Sequence, residues 1–145
     1  MIDDKIHIHI KNNHASPETF PPTQEGERVF TITEDHFRAA CERHRTVAAR
    51  VEAFIDWDLD HFTRSMETAD VLVTWDLPIE NLSDIAPRLK MIHIIGAGVE
   101  HLCPMDWVPD GVTVVNNRGV HAQKGGEFGL MSVLMLNSRV TAIVD

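Results

Sequence analysis

The hydrophobic pattern changes its period several times along the chain, and each change marks an element. Ile6, Ile8 and Ile10 alternate with His7 and His9, the period of two that makes a β-strand. Asn12 and Asn13 end it, and the stretch to Gly26, rich in Pro, Asn and Glu, reads as a loop. Thr33 is a helix N-cap followed by the acids Glu34 and Asp35. Beyond it Phe37, Ala40, Cys41, His44, Val47 and Ala48 recur at helical spacing, which predicts one helix to about Arg50. Val51–Trp57 reads as a strand and Asp58–Thr68 as a short helix with Leu59, Phe62 and Met66 on one side. Ala69–Trp75 is a compact, nearly all-apolar run suited to a strand buried on both faces. Residues 78–90 hold a short polar helical segment broken at Pro87. Met91–Ile95 is another buried-type strand, stopped abruptly by Gly96-Ala97-Gly98. Val112–Val115 is a fifth strand, and the segment from about Gln123 through Val140 is helical.

Strand and helix alternate, so the sheet is expected to be parallel with helices on both faces. Five strands in this length suit an α/β, flavodoxin-like open sheet of order 2-1-3-4-5. The expected organisation is one domain over residues 1–122 and a C-terminal helix over 123–145. There is no internal repeat and no low-complexity tract.

Composition narrows the function classes. The chain has 145 residues, 43% hydrophobic and 24% charged, which is ordinary for a globular domain with its own core. Its formal net charge of −9 repels phosphate backbones and anionic lipid heads, so neither nucleic acid nor membrane is an expected partner. Cys41 and Cys103 form no C-x-x-C pair and read as free thiols of the cytoplasm. The charged, alternating N-terminus lacks the apolar core of a signal peptide, and no apolar run approaches a membrane span.

The sharpest chemical feature is the strand that runs directly into Gly96-Ala97-Gly98-Val99-Glu100-His101-Leu102. Ligands of open parallel sheets bind outside the carboxyl ends of the strands. Two glycines there allow positive φ and close backbone approach. If Val99, Glu100 and His101 begin a helical turn, its free N–H groups can hold a carboxylate without a basic side chain. The plain alternative is a tight strand-to-helix turn. The segment is not a dinucleotide fingerprint, because G-x-G-x-x-G needs a third glycine where His101 stands.

Three blocks, L-K-M-I-H-I-I-G-A-G-V-E-H-L, P-D-G-V-T-V-V-N-N-R-G-V-H-A and G-E-F-G-L-M-S-V-L-M-L-N-S-R, together resemble the first domain of D-isomer-specific 2-hydroxyacid dehydrogenases. The resemblance covers about Ala69 to Arg139. It implies the substrate-binding part of an NAD- or NADP-dependent oxidoreductase, acting on a small 2-oxo or 2-hydroxy acid. It implies that Ala97, Gly98 and Val99, with Gly96, bind the substrate carboxylate through backbone N–H groups. It implies that Trp75 shapes the side-chain pocket, and that the helix near Glu127 is an interdomain hinge. The family's nucleotide fingerprint and its catalytic Arg, Glu and His come later than any residue here. No catalytic residue is therefore assigned, the nucleotide domain is absent from the 145 residues, and this segment alone is expected to be inactive. Gly125 departs from a family position often held by Thr or Ser, which removes a side-chain approach to the cofactor.

The last helix carries apolar residues on nearly every side, among them Phe128, Leu130, Met131, Val133, Leu134, Met135 and Leu136. One side is expected to pack on this domain and the other on a second domain or a second copy, so self-association is an expected behaviour. His7, His9 and His14 invite a metal reading, but a polar strand face is the simpler one and no metal is assigned. His93 reads as a satisfied core histidine, and His101 and His121 as residues near the cleft edge. Cys103 lacks a base of defined geometry. The competing reading of the whole chain is a stand-alone flavodoxin-like module that binds a small anion or regulates.

Overall fold

A computed structural model describes residues 5–144. The strands are β1 (Ile6–Asn12), β2 (Val51–Trp57), β3 (Val71–Thr74), β4 (Met91–Ile94) and β5 (Thr113–Asn116). They form one all-parallel sheet of order β2-β1-β3-β4-β5, the flavodoxin-like order the pattern predicts. The helices are α1 (Gln24–Phe30), α2 (Glu34–Arg43), α3 (Arg45–Ala48), α4 (Phe62–Met66), α5 (Leu82–Ile85), α6 (Ala122–Asn137) and α7 (Thr141–Val144). None of them is long and apolar enough to cross a membrane.

The two directions of strand addition put the helices on opposite faces. Crossovers are right-handed, so the link from β1 out to β2 lies on one face and the links from β2 through β5 lie on the other. On that second face α4 and α5 bury Phe62, Met66 and Leu82 against Leu72, Ile92 and Ile94. Leu102, from the turn after β4, completes this core. On the first face the half-buried Phe37 and Cys41 of α2 approach Ala53 and Ile55 of β2.

Several sequence expectations change. The loop from Asn12 to Gly26 contains the start of α1, capped by the Thr23 hydroxyl, which accepts from the Gly26 N–H at 3.1 Å. The single helix expected to about Arg50 breaks at His44, whose backbone leaves the helical region, and resumes as α3. The cap at Thr33 forms as expected: its hydroxyl accepts from the His36 N–H, and the His36 ring accepts from the Thr33 N–H.

The third change concerns β1. Its histidines were expected on a polar, solvated face. β1 lies between β2 and β3, so both of its edges are paired, and in its second half packed elements also cover the faces: His9 is 1% exposed. Its register partner on β3 is Leu72, on the same side of the sheet, which places the ring in the α4 layer. The ring stands against Phe54 and Phe62, and Nδ1 meets the Ser65 hydroxyl at 2.8 Å. That hydroxyl already donates to helix carbonyls, so Nδ1 carries the proton and Nε2 is an acceptor. Nε2 is buried without a partner. Burial is the main reason the pKa of His9 falls to about 4; Asp56 pulls the other way, and Lys11 adds the smallest push, downward.

Asp70 ties the opposite, amino-terminal ends of three strands together. Its carboxylate accepts from the His7 N–H at 3.0 Å and pairs with Lys90 at 2.9 Å and Arg88 at 3.3 Å. Burial pushes its pKa up, but the His7 amide, Lys90 and Arg88 outweigh this and hold it below the usual carboxylate value. A depressed carboxyl pKa adds stability that is present above the unfolded value and lost as pH falls through the folded one. Asp70→Asn is expected to cost about 1–3 kcal/mol at neutral pH, read as a lowered urea midpoint. An unchanged midpoint would show that the strand ends hold without this carboxylate.

The last helix also departs from expectation. Phe128, Leu130, Met131, Val133, Leu134, Met135 and Leu136 are all exposed, at 40–73%, so α6 packs neither side on the domain. The chain turns at Gly119, in the left-handed region at φ +92, and α6 then leaves the body of the sheet.

Candidate functional site

The carboxyl edge of the sheet gathers the polar ends of four strands. β4 contributes the Gly96–Val99 loop. Ile95 N–H donates to the Thr74 carbonyl at 2.9 Å, which carries the strand one residue beyond its regular part. The loop's carbonyls then turn inward and are used. Gly96 O accepts from Asn117 N–H at 2.9 Å, Ala97 O from the Asn116 side-chain amide at 2.9 Å, and Val99 O from Leu102 N–H at 3.0 Å. The N–H groups of Ala97, Gly98 and Val99 donate to no acceptor among the described residues. A 3-10 turn, Glu100–Leu102, follows and is anchored by buried Leu102. Inward carbonyls and unpaired donors are what a carboxylate requires of a backbone loop.

The glycines act differently from the expectation. Neither Gly96 nor Gly98 has a positive φ; in this part of the chain only Gly111 and Gly119 do. Gly96 is needed because the Trp75 ring lies on its Cα, where any Cβ would overlap Cζ3. A Cβ at Gly98 would meet only the Glu100 carboxylate, which folds back over the loop. Glu100 is exposed and must swing aside for an anion to enter.

Trp75 is half-buried in an aromatic stack. Phe20 lies on it at 3.9 Å between ring centroids, His101 at 5.0 Å with the planes 3° apart, and Phe30 meets it edge-on at 5.8 Å. The His101 Nε2 meets the Trp75 carbonyl at 3.0 Å; a carbonyl only accepts, so that nitrogen carries the proton. The pattern reading missed Phe20 and Phe30. They belong to the segment between β1 and α2, which closes over the strand ends.

The edge also holds a cluster with no sequence signature. Lys11, with a side chain 4% exposed, donates to Asp76 Oδ1 at 2.7 Å and Asn13 Oδ1 at 2.6 Å. Asn13 donates in turn to Asp76 Oδ1 at 2.9 Å and to the Phe20 carbonyl at 3.0 Å.

The histidines do not converge. His14 is exposed, stacks on Trp57 at 4.3 Å and pairs with Asp58 at 2.6 Å, a bond that raises its pKa. Among the described residues no three His, Cys, Asp or Glu side chains are arranged to hold a metal. His93 is half-buried and donates to Asn117 Oδ1 at 2.9 Å, as a core histidine should. His121 is exposed at the start of α6. The Cys103 thiol faces the Val99 carbonyl at 3.6 Å.

The described residues do not fit a nicotinamide dinucleotide. Such a ligand needs a glycine turn that opens a helix and cradles the pyrophosphate. Here β1 runs into Asn12-Asn13, and β4 runs into a single 3-10 turn whose own acid covers the loop. Gly125 and Gly126 lie inside α6 with open space around them. Compared with protein-family models, curated proteins and solved structures, the chain matches none.

Proposed function

We propose that this chain is the substrate-binding part of an NAD(P)-dependent oxidoreductase acting on D-2-hydroxy acids and 2-oxo acids. The observation that carries the proposal is the trio of unpaired N–H groups on Ala97, Gly98 and Val99 at the carboxyl end of β4. In this reading they bind the substrate carboxylate, with Gly96 holding the loop against Trp75 and Trp75 forming the wall beside the substrate side chain. The apolar, uncovered α6 serves as the interdomain hinge. A nicotinamide cofactor, which would supply the hydride, would be held by residues other than those described. The residues of this chain bind and orient the acid; none is assigned the proton.

Titration of the labelled chain with pyruvate tests this. The Ala97, Gly98 and Val99 amide signals should move first, with a dissociation constant of about 1 mM or weaker because a backbone loop alone supplies few contacts. The purified chain should not oxidise NADH with any 2-oxo acid. Turnover by the chain alone, or shifts confined to the histidines, would remove the proposal. A second reading draws on the same loop, since the three donors are complete without another domain: a free-standing small-anion module. It expects acetate and pyruvate to move these amides equally, whereas the oxidoreductase reading expects pyruvate to bind more tightly.

A further inference from the structure

The order β2-β1-β3-β4-β5 changes its direction of growth between β1 and β3. The chain leaves β1 toward one edge and β3 toward the other, so the two connections diverge above this pair. That divergence is where open parallel sheets form their ligand crevice. In this protein that switch point is not at the β4 loop. It lies between Lys11 at the end of β1 and Asp76 just beyond β3.

A buried lysine is uncommon, because removing an ammonium from water is costly unless it is paired. Lys11 has two acceptors, Asp76 Oδ1 and Asn13 Oδ1, for its three N–H bonds. The backbone of Asp76 is fixed by the Thr74 hydroxyl, which donates to its carbonyl at 2.6 Å. Asp76 Oδ1 takes two hydrogen bonds, while Oδ2 takes none among the described residues. Both side chains line a cavity of about 480 Å³, with Asn13, Ser16, Thr19 and Leu77 also on its wall. The Asp76 side chain is 35% exposed, so Oδ2 is open to the cavity.

The charge of the pair selects the ligand. An ammonium and a carboxylate side by side cancel, and the other ionisable groups on the wall, His14 and Asp58, are paired with each other at 2.6 Å, so neither a bare anion nor a bare cation gains. A hydroxyl group donates and accepts through one oxygen. Two adjacent hydroxyls therefore match the pair, one accepting from Lys11 and the other donating to Asp76 Oδ2. Ser16 and Thr19 extend the same chemistry, and Leu77 offers contact to C–H groups.

We infer that this crevice binds a small polyhydroxylated molecule through adjacent hydroxyls held by Lys11 and Asp76. The inference does not depend on the oxidoreductase reading; the Gly96–Val99 loop follows β4, one strand spacing (roughly 5 Å) from Asp76 and two (roughly 10 Å) from Lys11. The test uses xylitol against 1,5-pentanediol, which has the same carbon chain and no adjacent hydroxyls. Xylitol should shift the Asn13, Thr19, Asp76 and Leu77 amides in a saturable way and leave Gly98 in place; pentanediol at equal concentration should not shift them. Asp76→Asn keeps the shape and should weaken xylitol binding about tenfold, the loss of one charge-assisted bond. Lys11→Met should do the same; if it does not fold, Asp76→Asn carries the test. Equal response to both probes, shifts elsewhere only, or undiminished binding by Asp76→Asn would overturn the inference.

Discussion

Acidification from pH 6.5 toward about 4 is expected to remove roughly 3 kcal/mol of stability through His9 alone. The folded protein keeps this ring neutral, because its protonated form would sit 1% exposed beside Phe54 and Phe62 with no acceptor for a second N–H. The unfolded chain takes up the proton at the ordinary pKa of 6.5. Between the two values the unfolded state binds more protons, so stability falls as pH falls. It is undiminished above 6.5, and the loss levels off below about 4. His14 has the opposite sign. Its raised pKa adds stability that is present below 6.5 and lost as pH rises, and at an exposed pair it is small. The lowered carboxyls Asp56, Asp58 and Asp70 act at more acid pH, below their ordinary 3.8. The upper part of the interval, from 6.5 to about 5, therefore reports mainly on His9. His9→Leu should flatten the dependence of the urea midpoint on pH across it. Ser65 tolerates the change, since its hydroxyl still donates to the helix carbonyls. A variant with the wild-type slope would assign the acid sensitivity elsewhere.

Gly96→Val is the second large effect. The added atoms would enter the Trp75 ring, and Phe20 and His101, both stacked on that ring, resist its moving aside. Either the stack opens or the β4 loop shifts. The expected cost is about 1–3 kcal/mol, the range for forcing volume into a filled site. The Trp75 indole signal should move, and the pyruvate response of Gly98 and Val99 should fall with it. Gly98→Ala is the internal comparison. It meets only the end of the Glu100 side chain, which can rotate away, and should leave stability near wild type. Equal behaviour of the two variants would mean that the Trp75 contact does not fix the loop.

The strongly apolar strands and their order were legible because β-branched runs at Val71–Thr74 and Met91–Ile94 leave little choice of structure. α1 was hidden because none of its seven residues is buried, so it leaves no apolar period in the chain. The burial of His9 was within reach. An order of 2-1-3-4-5 makes the first strand internal, and an internal parallel strand has no polar face, whatever its residues alternate. The same reasoning would have buried Lys11 and asked for its counter-charge. The partner itself, Asp76, is 65 residues away and carries no local sign of the pairing. The loop at Gly96–Val99 was found for its glycines, yet its glycines answer to Trp75 and Glu100 rather than to backbone torsion.

The inner position of β1 has a consequence for synthesis. β1 is made before both strands that hydrogen-bond to it, β2 at Val51–Trp57 on one side and β3 at Val71–Thr74 on the other. At ~5–20 residues per second, its Ile and His side chains wait several seconds on the ribosome with both edges open. During that interval the nascent chain is most exposed to wrong pairing, and a holdase or a slower translation rate would act there. Residues 6–12 are for the same reason the poorest place for an insertion or deletion, since a change there unseats the middle of the sheet.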